Sequence, residues 1–350
     1  MEKKRIVFTG GGTLGHVMPN LYLMEEMKDC ECFYIGTNGI EKEKVKDKVT
    51  DYFSIPAIKL ERGKILKNFK IPFVLMSSIL KAKTALKKIK PGVVFSKGGY
   101  VALPVCIASR MLKIPVVTHE SDYSLGLANK LILKVCNIMC VNFKNLETKS
   151  KKIVYTGPIF SKSFESRTKN KSQFTLHENK KTILIVGGSL GSKKINETIY
   201  PILKDMLKDF NIIHITGKGN LKIKSYENYT SMEMCNDMAG LYNIADFVIG
   251  RSGAGVTAEC YFKNLPMLLI PLENKSSRGD QLQNAKYYVK EGVAEIVREK
   301  ELTPTMFLEK LNGFNNNLTN YREKYKKIYK INGKEKIIKI INNLIKQNTI

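Results

Sequence analysis

Twice in this chain a short apolar run leads straight into a glycine-rich loop and then into a helical pattern: RIVFTGGGTLGH at residues 5–16 and TILIVGGSLGS at residues 182–192. Strand, glycine turn and helix in that order open a doubly wound α/β domain. A parallel strand must be followed by a crossover, and glycines let the backbone turn tightly at the carboxyl edge of the sheet. Two such openings predict two Rossmann-like domains, each with a potential phosphate site at a helix N-terminus. A length of 350 residues accommodates both.

The remaining pattern is of the same kind. Further β-rich runs lie at residues 32–36, 93–96, 115–118 and 138–141 in the first half, and at 211–216, 246–250, 267–270 and 294–297 in the second, with helical stretches between them. Residues 160–181 are polar and rich in Lys, Ser and Asn, and read as a linker or exposed loop. Residues 320–346 are lysine-rich and amphipathic, with Ile328, Ile331, Ile337, Ile338, Ile341 and Leu344 recurring at helical spacing. The predicted division is a first domain over 1–158, a second over 159–331, and a C-terminal helix over 332–350 that packs back on the first.

A formal net charge of +26 favours anionic partners, although Lys, Asn and Ile are abundant throughout and part of that charge is background. No apolar run approaches the roughly 18 to 20 residues of a membrane span. The N-terminus has no apolar stretch or cleavage site of a signal peptide, so the expected compartment is the cytoplasm. The seven cysteines are scattered, form no CxxC pair and have no histidine cluster beside them; they read as small core residues, with neither metal nor disulfide expected.

Several motifs fall where strands end. GGGTLGH at 10–16 fits neither a nicotinamide fingerprint nor a P-loop, because it lacks a following acidic residue at the right distance and a GK[ST]. Its last residue, His16, is either a ligand-facing side chain at the sheet edge or a helix-capping or core histidine. SKGGYVALP at 96–104 places Tyr100 after a two-glycine turn, and THESDYSLGLANK gathers His119, Glu120, Asp122 and Asn129. Such groups bind sugar hydroxyls or take a proton from one, and they also cap helices. In GGSLGS, Ser189 suits a phosphate contact. In RSGAGVTAE, Arg251 offers charge, small residues leave room at a helix start, and Glu259 has two acceptor oxygens for a ribose diol. RGDQLQNA adds Asp280 and Gln281, suited to adjacent sugar hydroxyls.

Taken together and in this order, GGGTLGH, THESDYSLGLANK, GGSLGS, RSGAGVTAE and RGDQLQNA resemble the MurG family of peptidoglycan N-acetylglucosaminyltransferases, within glycosyltransferase family 28. The resemblance spans nearly the whole chain and rests on the conjunction of motifs. It implies a GT-B fold, two Rossmann-like domains facing each other across a cleft, and inverting transfer of GlcNAc from UDP-GlcNAc to lipid I, giving lipid II. No cofactor and no metal are implied. Carried over by position, Glu259 would bind the ribose, the backbone around Cys235 the uracil edge, Ser189 the diphosphate with Arg251 nearby, and Asp280 and Gln281 the GlcNAc hydroxyls. Thr13, Gly15, His16, Tyr100, Glu120, Asp122 and Asn129 would line the acceptor side. The sequence departs from the family pattern at Leu14, Asp122, Phe160 and Leu190.

For the general base the first candidate is His16, whose ordinary pKa lies near neutrality, with Glu120 and Asp122 as rivals. An acceptor carried on a polyprenyl lipid implies peripheral work at the cytoplasmic face of the cell membrane, near other cell-wall synthesis proteins. Residues 59–90 carry ten Lys and Arg against Glu61 alone, around the apolar run 71–76, which fits an anionic membrane surface or a core helix with a solvated basic face. Rival readings are a glycolipid synthase acting on diacylglycerol and a UDP-GlcNAc 2-epimerase. Nucleic acid is not an expected partner, since no RRM, KH or helix-turn-helix signature appears.

Overall fold

A computed structural model describes residues 3–60, 68–166, 168, 173–188, 191–273, 278–327 and 330–348. The chain divides into two compact units, residues 1–162 with 331–350, and residues 163–330.

The first unit is a seven-stranded sheet. Its elements begin with β1 (Lys4–Thr9), α1 (Leu14–Met24), β2 (Cys30–Gly36), α2 (Ile40–Val45) and β3 (Asp51–Ser54). They continue with α3 (Ile71–Ile89), β4 (Val93–Ser96), α4 (Gly99–Met111), β5 (Val116–Glu120), α5 (Leu127–Val135), β6 (Ile138–Val141) and β7 (Ile153–Tyr155). The strand order is β3-β2-β1-β4-β5-β6-β7, and every pairing is parallel. Central strands buried on both faces need near-continuous apolar sequence, and β4 (VVFS) and β5 (VVTHE) are buried throughout. Val7, Ile35, Val94 and Val116 face α3 and α4 through Ile79, Leu86, Ala102 and Val105. On the opposite face Ile6, Phe8 and Phe95 meet Val17 and Leu21 of α1.

The same face is closed by the C-terminal helix Lys334–Asn348. Its Ile337, Ile341 and Ile345 recur at every fourth residue and are buried, each contributing about 2 kcal/mol of apolar burial. Lys334, also buried, pairs with Glu26 at 2.7 Å and fixes the start of the helix to the turn after α1.

The second unit contains β8 (Lys181–Val186), α6 (Lys193–Ile199), α7 (Leu203–Asp209), β9 (Phe210–Ile215), β10 (Tyr229–Met232) and α8 (Met238–Ile244). After these come β11 (Phe247–Gly250), α9 (Ala254–Lys263), β12 (Met267–Leu269), α10 (Asp280–Lys290) and β13 (Ala294–Ile296). Its order is β10-β9-β8-β11-β12-β13, again all parallel. In each sheet the direction of winding reverses beside the first strand, between β1 and β4 and between β8 and β11. Ligands of open α/β sheets bind at the carboxyl ends of the strands at such a reversal. The first glycine loop, the described residues of the second, and the segments after β4 and β11 lie there.

Candidate active site

In the first unit, Thr13 and Gly15 are exposed and His16 is half-buried at the start of α1. Thr13 Oγ1 lies 3.1 Å from His16 Nδ1, which ties the imidazole to the loop that precedes it. The His16 ring passes within 3.3 Å of where a Cβ on Gly99 would stand, so the SKGGY turn and the first glycine loop meet at the winding reversal. Tyr100, half-buried on α4, packs over Gly12 from the other side.

The cluster after β5 is tightly organised. Glu120 is 6% exposed and accepts hydrogen bonds from the Asp122 N–H (3.0 Å), the Gly126 N–H (3.0 Å) and Asn129 Nδ2 (2.9 Å). A carboxylate so engaged holds the 121–129 loop in shape. Asn129 is buried and turned to Glu120, whereas Asp122 is half-buried at the turn. His119 points into the protein, Nε2 lying 3.3 Å from the Gly157 carbonyl and Nδ1 buried without a partner among the described residues. Burial first, and the charge of Lys97 second, push its imidazole pKa well below the usual value.

Lys97 itself escaped sequence reasoning. A lysine before two glycines reads as solvated, yet it is 2% exposed and donates to Ser121 Oγ at 2.5 Å. Burial lowers its ammonium to about 8 against the opposing pull of Glu120 and Asp122. Glu41, in the surface-like string IEKEKV, was missed for the same reason and is fully buried. Phe160 is buried too, and Leu14 is the first residue of α1.

In the second unit, Ser189 and Leu190 lie outside the described residues. The rest of that loop ends on Ser192, whose Oγ caps α6 by accepting the Ile195 N–H. Arg251, 8% exposed, donates to Ser192 Oγ (2.9 Å) and to the carbonyls of Ile270 (3.1 Å) and Pro271 (3.2 Å), and pairs with Glu299. Its guanidinium therefore ties the glycine loop to the end of β12. Arg251, expected near a phosphate, is held in place by these internal partners.

Gly253 and Gly255 stand at the start of α9, and no described atom lies within 4 Å of where their Cβ atoms would be, so among the described residues the helix N-terminus has room for a ligand. About one and a half turns into the helix, Glu259 comes to the same side as Tyr242 of α8, whose hydroxyl donates to Glu259 Oε2 at 2.8 Å. Enclosure raises the Glu259 carboxyl to about 7, and the Tyr242 bond works against that rise. Cys235, half-buried, lies just ahead of α8. Ser252 Oγ donates to the Gln281 carbonyl (2.8 Å), Asn284 Nδ2 donates to the Ser252 carbonyl (3.2 Å), and Gln281 Oε1 accepts the Leu272 N–H (3.0 Å). Asp280 is the first residue of α10, 3.6 Å from Arg278. The motifs at 251–259 and 278–285 are thus one connected surface. Ser252 and Asn284 stand inside the motifs at 251–259 and 278–285, whereas Tyr242 was not singled out; in all three the partner is set by the fold.

Two family models match: the glycosyltransferase family 28 N-terminal domain over residues 6–141 and its C-terminal domain over residues 182–341. A relative from Clostridium tetani (strain Massachusetts / E88) is 42% identical over 349 residues, covering 97% of this chain and 98% of its own. It is named UDP-N-acetylglucosamine--N-acetylmuramyl-(pentapeptide) pyrophosphoryl-undecaprenol N-acetylglucosamine transferase. The chain belongs to glycosyltransferase family 28.

Among solved structures, the family 28 chain superposes on the crystal structure of Acinetobacter baumannii MurG with a TM-score of 0.77 at 26% identity, over 97% of this chain and 99% of that one. It matches UDP-GlcNAc 2-epimerase from Neisseria meningitidis bound to UDP-GlcNAc with a TM-score of 0.66 at 16% identity, covering 97% and 99% of the two chains. That second likeness shows the fold alone. The fold is GT-B.

Proposed function

We propose that this family 28 enzyme transfers GlcNAc from UDP-GlcNAc to the 4-hydroxyl of MurNAc in undecaprenyl-pyrophosphoryl-MurNAc-pentapeptide (lipid I), with inversion at the anomeric carbon, giving lipid II. The observation that carries this is near-full-length identity of 42% to a relative named for that transfer.

The second unit serves the donor. Glu259, once ionised, accepts hydrogen bonds from both ribose hydroxyls, and the backbone around Cys235 reads the uracil edge. The open N-terminus of α9 and the second glycine loop, with Ser189, receive the diphosphate and stabilise its charge as UDP leaves. Arg251 contributes by holding that loop through Ser192. Asp280 and Gln281 take GlcNAc hydroxyls, Gln281 offering Nε2 because Oε1 is engaged by Leu272.

The first unit serves the acceptor. With Thr13 Oγ1 accepting Nδ1–H, His16 Nε2 carries the lone pair that takes the proton of the attacking hydroxyl. Asp122, Tyr100 and Gly15 line the approach. Glu120 and Asn129 shape the loop bearing Asp122.

The enzyme docks on the cytoplasmic face of the membrane through α3 and the residues before it. Phe69 (76% exposed), Phe73 (70%), Met76 and Leu80 stand out of the surface among lysines, and no described helix is long and apolar enough to cross a membrane. The basic residues at 62, 64 and 67 in that stretch lie outside the described residues. Other cell-wall synthesis proteins are the further partners in this reading.

The test is transfer of labelled GlcNAc to a lipid I analogue, with UDP-glucose and diacylglycerol as controls. Transfer to lipid I alone is expected. Transfer to diacylglycerol, or UDP release without any acceptor, would replace this reading by a glycolipid synthase or an epimerase.

A further inference from the structure

We propose that Glu41 is a positioning residue for this transfer: its buried carboxylate fills the anion seat of the first glycine loop and thereby sets the start of α1, with Thr13 and His16 on it. The proposal rests on the reading above, in which the first unit receives the acceptor.

The loop is already occupied. Glu41 Oε2 accepts the Gly12 N–H at 3.1 Å, and Oε1 accepts the Thr37 N–H at 2.9 Å together with the Thr37 hydroxyl. A Cβ on Gly11 would stand 2.4 Å from the carboxyl carbon of Glu41 and 2.5 Å and 2.7 Å from its oxygens. On the other flank Gly12 has φ of +79°, and a Cβ there would stand 2.8 Å from the Tyr100 ring. Glycine is therefore required at 11 and 12 by an internal carboxylate and an aromatic ring. A phosphate bound at the same amides would face the negative charge of Glu41. In the second unit the corresponding Gly188 has no described atom within 4 Å of its Cβ position. The two loops look alike in sequence, but among the described residues the close contacts at Gly187 and Gly191 are with backbone and no carboxylate lies against Gly187, Gly188 or Gly191.

Burial alone would raise the Glu41 carboxyl, but the hydrogen bonds from Thr37 and Gly12 outweigh it and hold the group below its ordinary value. It stays ionised at neutral pH and acts as a fixed internal anion. Gly12 immediately precedes Thr13, which holds His16 Nδ1, so the bond to Glu41 sets the aim of the imidazole two steps away. Misplacing a reacting group by an ångström costs on the order of 100-fold in rate.

Glu41→Gln makes a selective probe. It leaves an oxygen for Thr37 and turns an NH2 toward the Gly12 N–H. With the full chain, we expect kcat for transfer to the lipid I analogue to fall on the order of 10- to 100-fold, while KM for UDP-GlcNAc is unchanged. We also expect the His16 titration midpoint, followed by NMR, to move. Inorganic pyrophosphate added to the wild type should leave the Gly12 amide resonance in place. Wild-type kcat and His16 midpoint in folded Glu41→Gln or Glu41→Ala, or a Gly12 amide shifted by pyrophosphate, would overturn the proposal. A wild-type protein that transfers nothing to lipid I would instead overturn the functional reading, and the Gly12 and His16 resonances would still decide the role of Glu41.

Discussion

Donor binding should weaken as the solution is acidified through neutrality, because of Glu259. Its carboxyl titrates at about 7 in the free protein. About nine-tenths of it is ionised at pH 8 and about one-tenth at pH 6. The two ribose hydroxyls need both carboxylate oxygens as acceptors, and a protonated carboxyl presents one of them as a donor. Affinity for UDP-GlcNAc should therefore fall about tenfold from pH 8 to pH 6, equivalent to about 1.4 kcal/mol. The ligand's diphosphate is esterified at both ends and does not titrate in this window. Calorimetry at pH 7 in two buffers of different ionisation enthalpy should show release of about half a proton on binding. Tyr242→Phe removes the hydroxyl that favours the carboxylate and should move the midpoint upward, whereas Glu259→Gln should bind weakly and without pH dependence. An affinity level between pH 8 and 6, or proton uptake on binding, would refute the assignment of Glu259 to the ribose.

Three further outcomes concern stability. Arg251→Met leaves Glu299 and the Ile270 and Pro271 carbonyls without their buried donor, and should destabilise the protein by about 3 to 5 kcal/mol in urea titrations, with Arg251→Met/Glu299→Met recovering part of the loss; a loss below about 1 kcal/mol would refute the clamp. His214, buried between Tyr229 and Asn196, titrates at about 4, so the unfolded chain, at its ordinary value near 6.5, takes the proton first. Stability should thus be full above pH 6.5 and decline by up to about 3 kcal/mol as the pH falls to 4, a slope that His214→Gln should lack; parallel curves for the two proteins would exclude it. Lys97→Met should raise the melting temperature at pH 7, because a buried ammonium lowered to about 8 is a charge the fold holds at a cost; the advantage should shrink from pH 8 to 10.5 as the wild type sheds that proton, and a lowered melting temperature would refute it.

The interior of both sheets was legible because buried parallel strands are written as apolar runs. The runs at 93–96 and 138–141 are strands over those residues, and 5–9, 211–216 and 267–270 are strands within a residue at each end. The strands that sequence reading missed are β3, β7 and β10, and all three are sheet edges. An edge strand has one neighbour and a solvated flank, so DYFS and YTSM carry no continuous apolar signal. In the C-terminal segment the helical spacing was visible, but the buried stripe is Ile337, Ile341 and Ile345, with Leu344 beside it. The motifs of the site were visible as residue types at strand ends. Their roles were less so: Arg251 and Glu120 look in sequence like groups that meet a substrate, and their hydrogen bonds are internal. Glu41 and Lys97 look like surface charges and are buried, because charge type in a sequence does not report which way a side chain turns.

The return of residues 331–350 to the first unit also sets a timetable for synthesis. The ribosome delivers residues 1–162 early, yet the apolar surface over Ile6, Phe8 and Phe95 must wait for Ile337, Ile341 and Ile345. At translation rates of about 5 to 20 residues per second, that interval is roughly 10 to 40 seconds. Throughout it the nascent chain carries a sticky face and a half-built unit, while the intervening segment can complete its own core. Synthesis of residues 331–350, rather than emergence of residues 1–162, is then the moment at which the first unit locks, and a stalled product lacking residues 331–350 would be a substrate for chaperones and proteases.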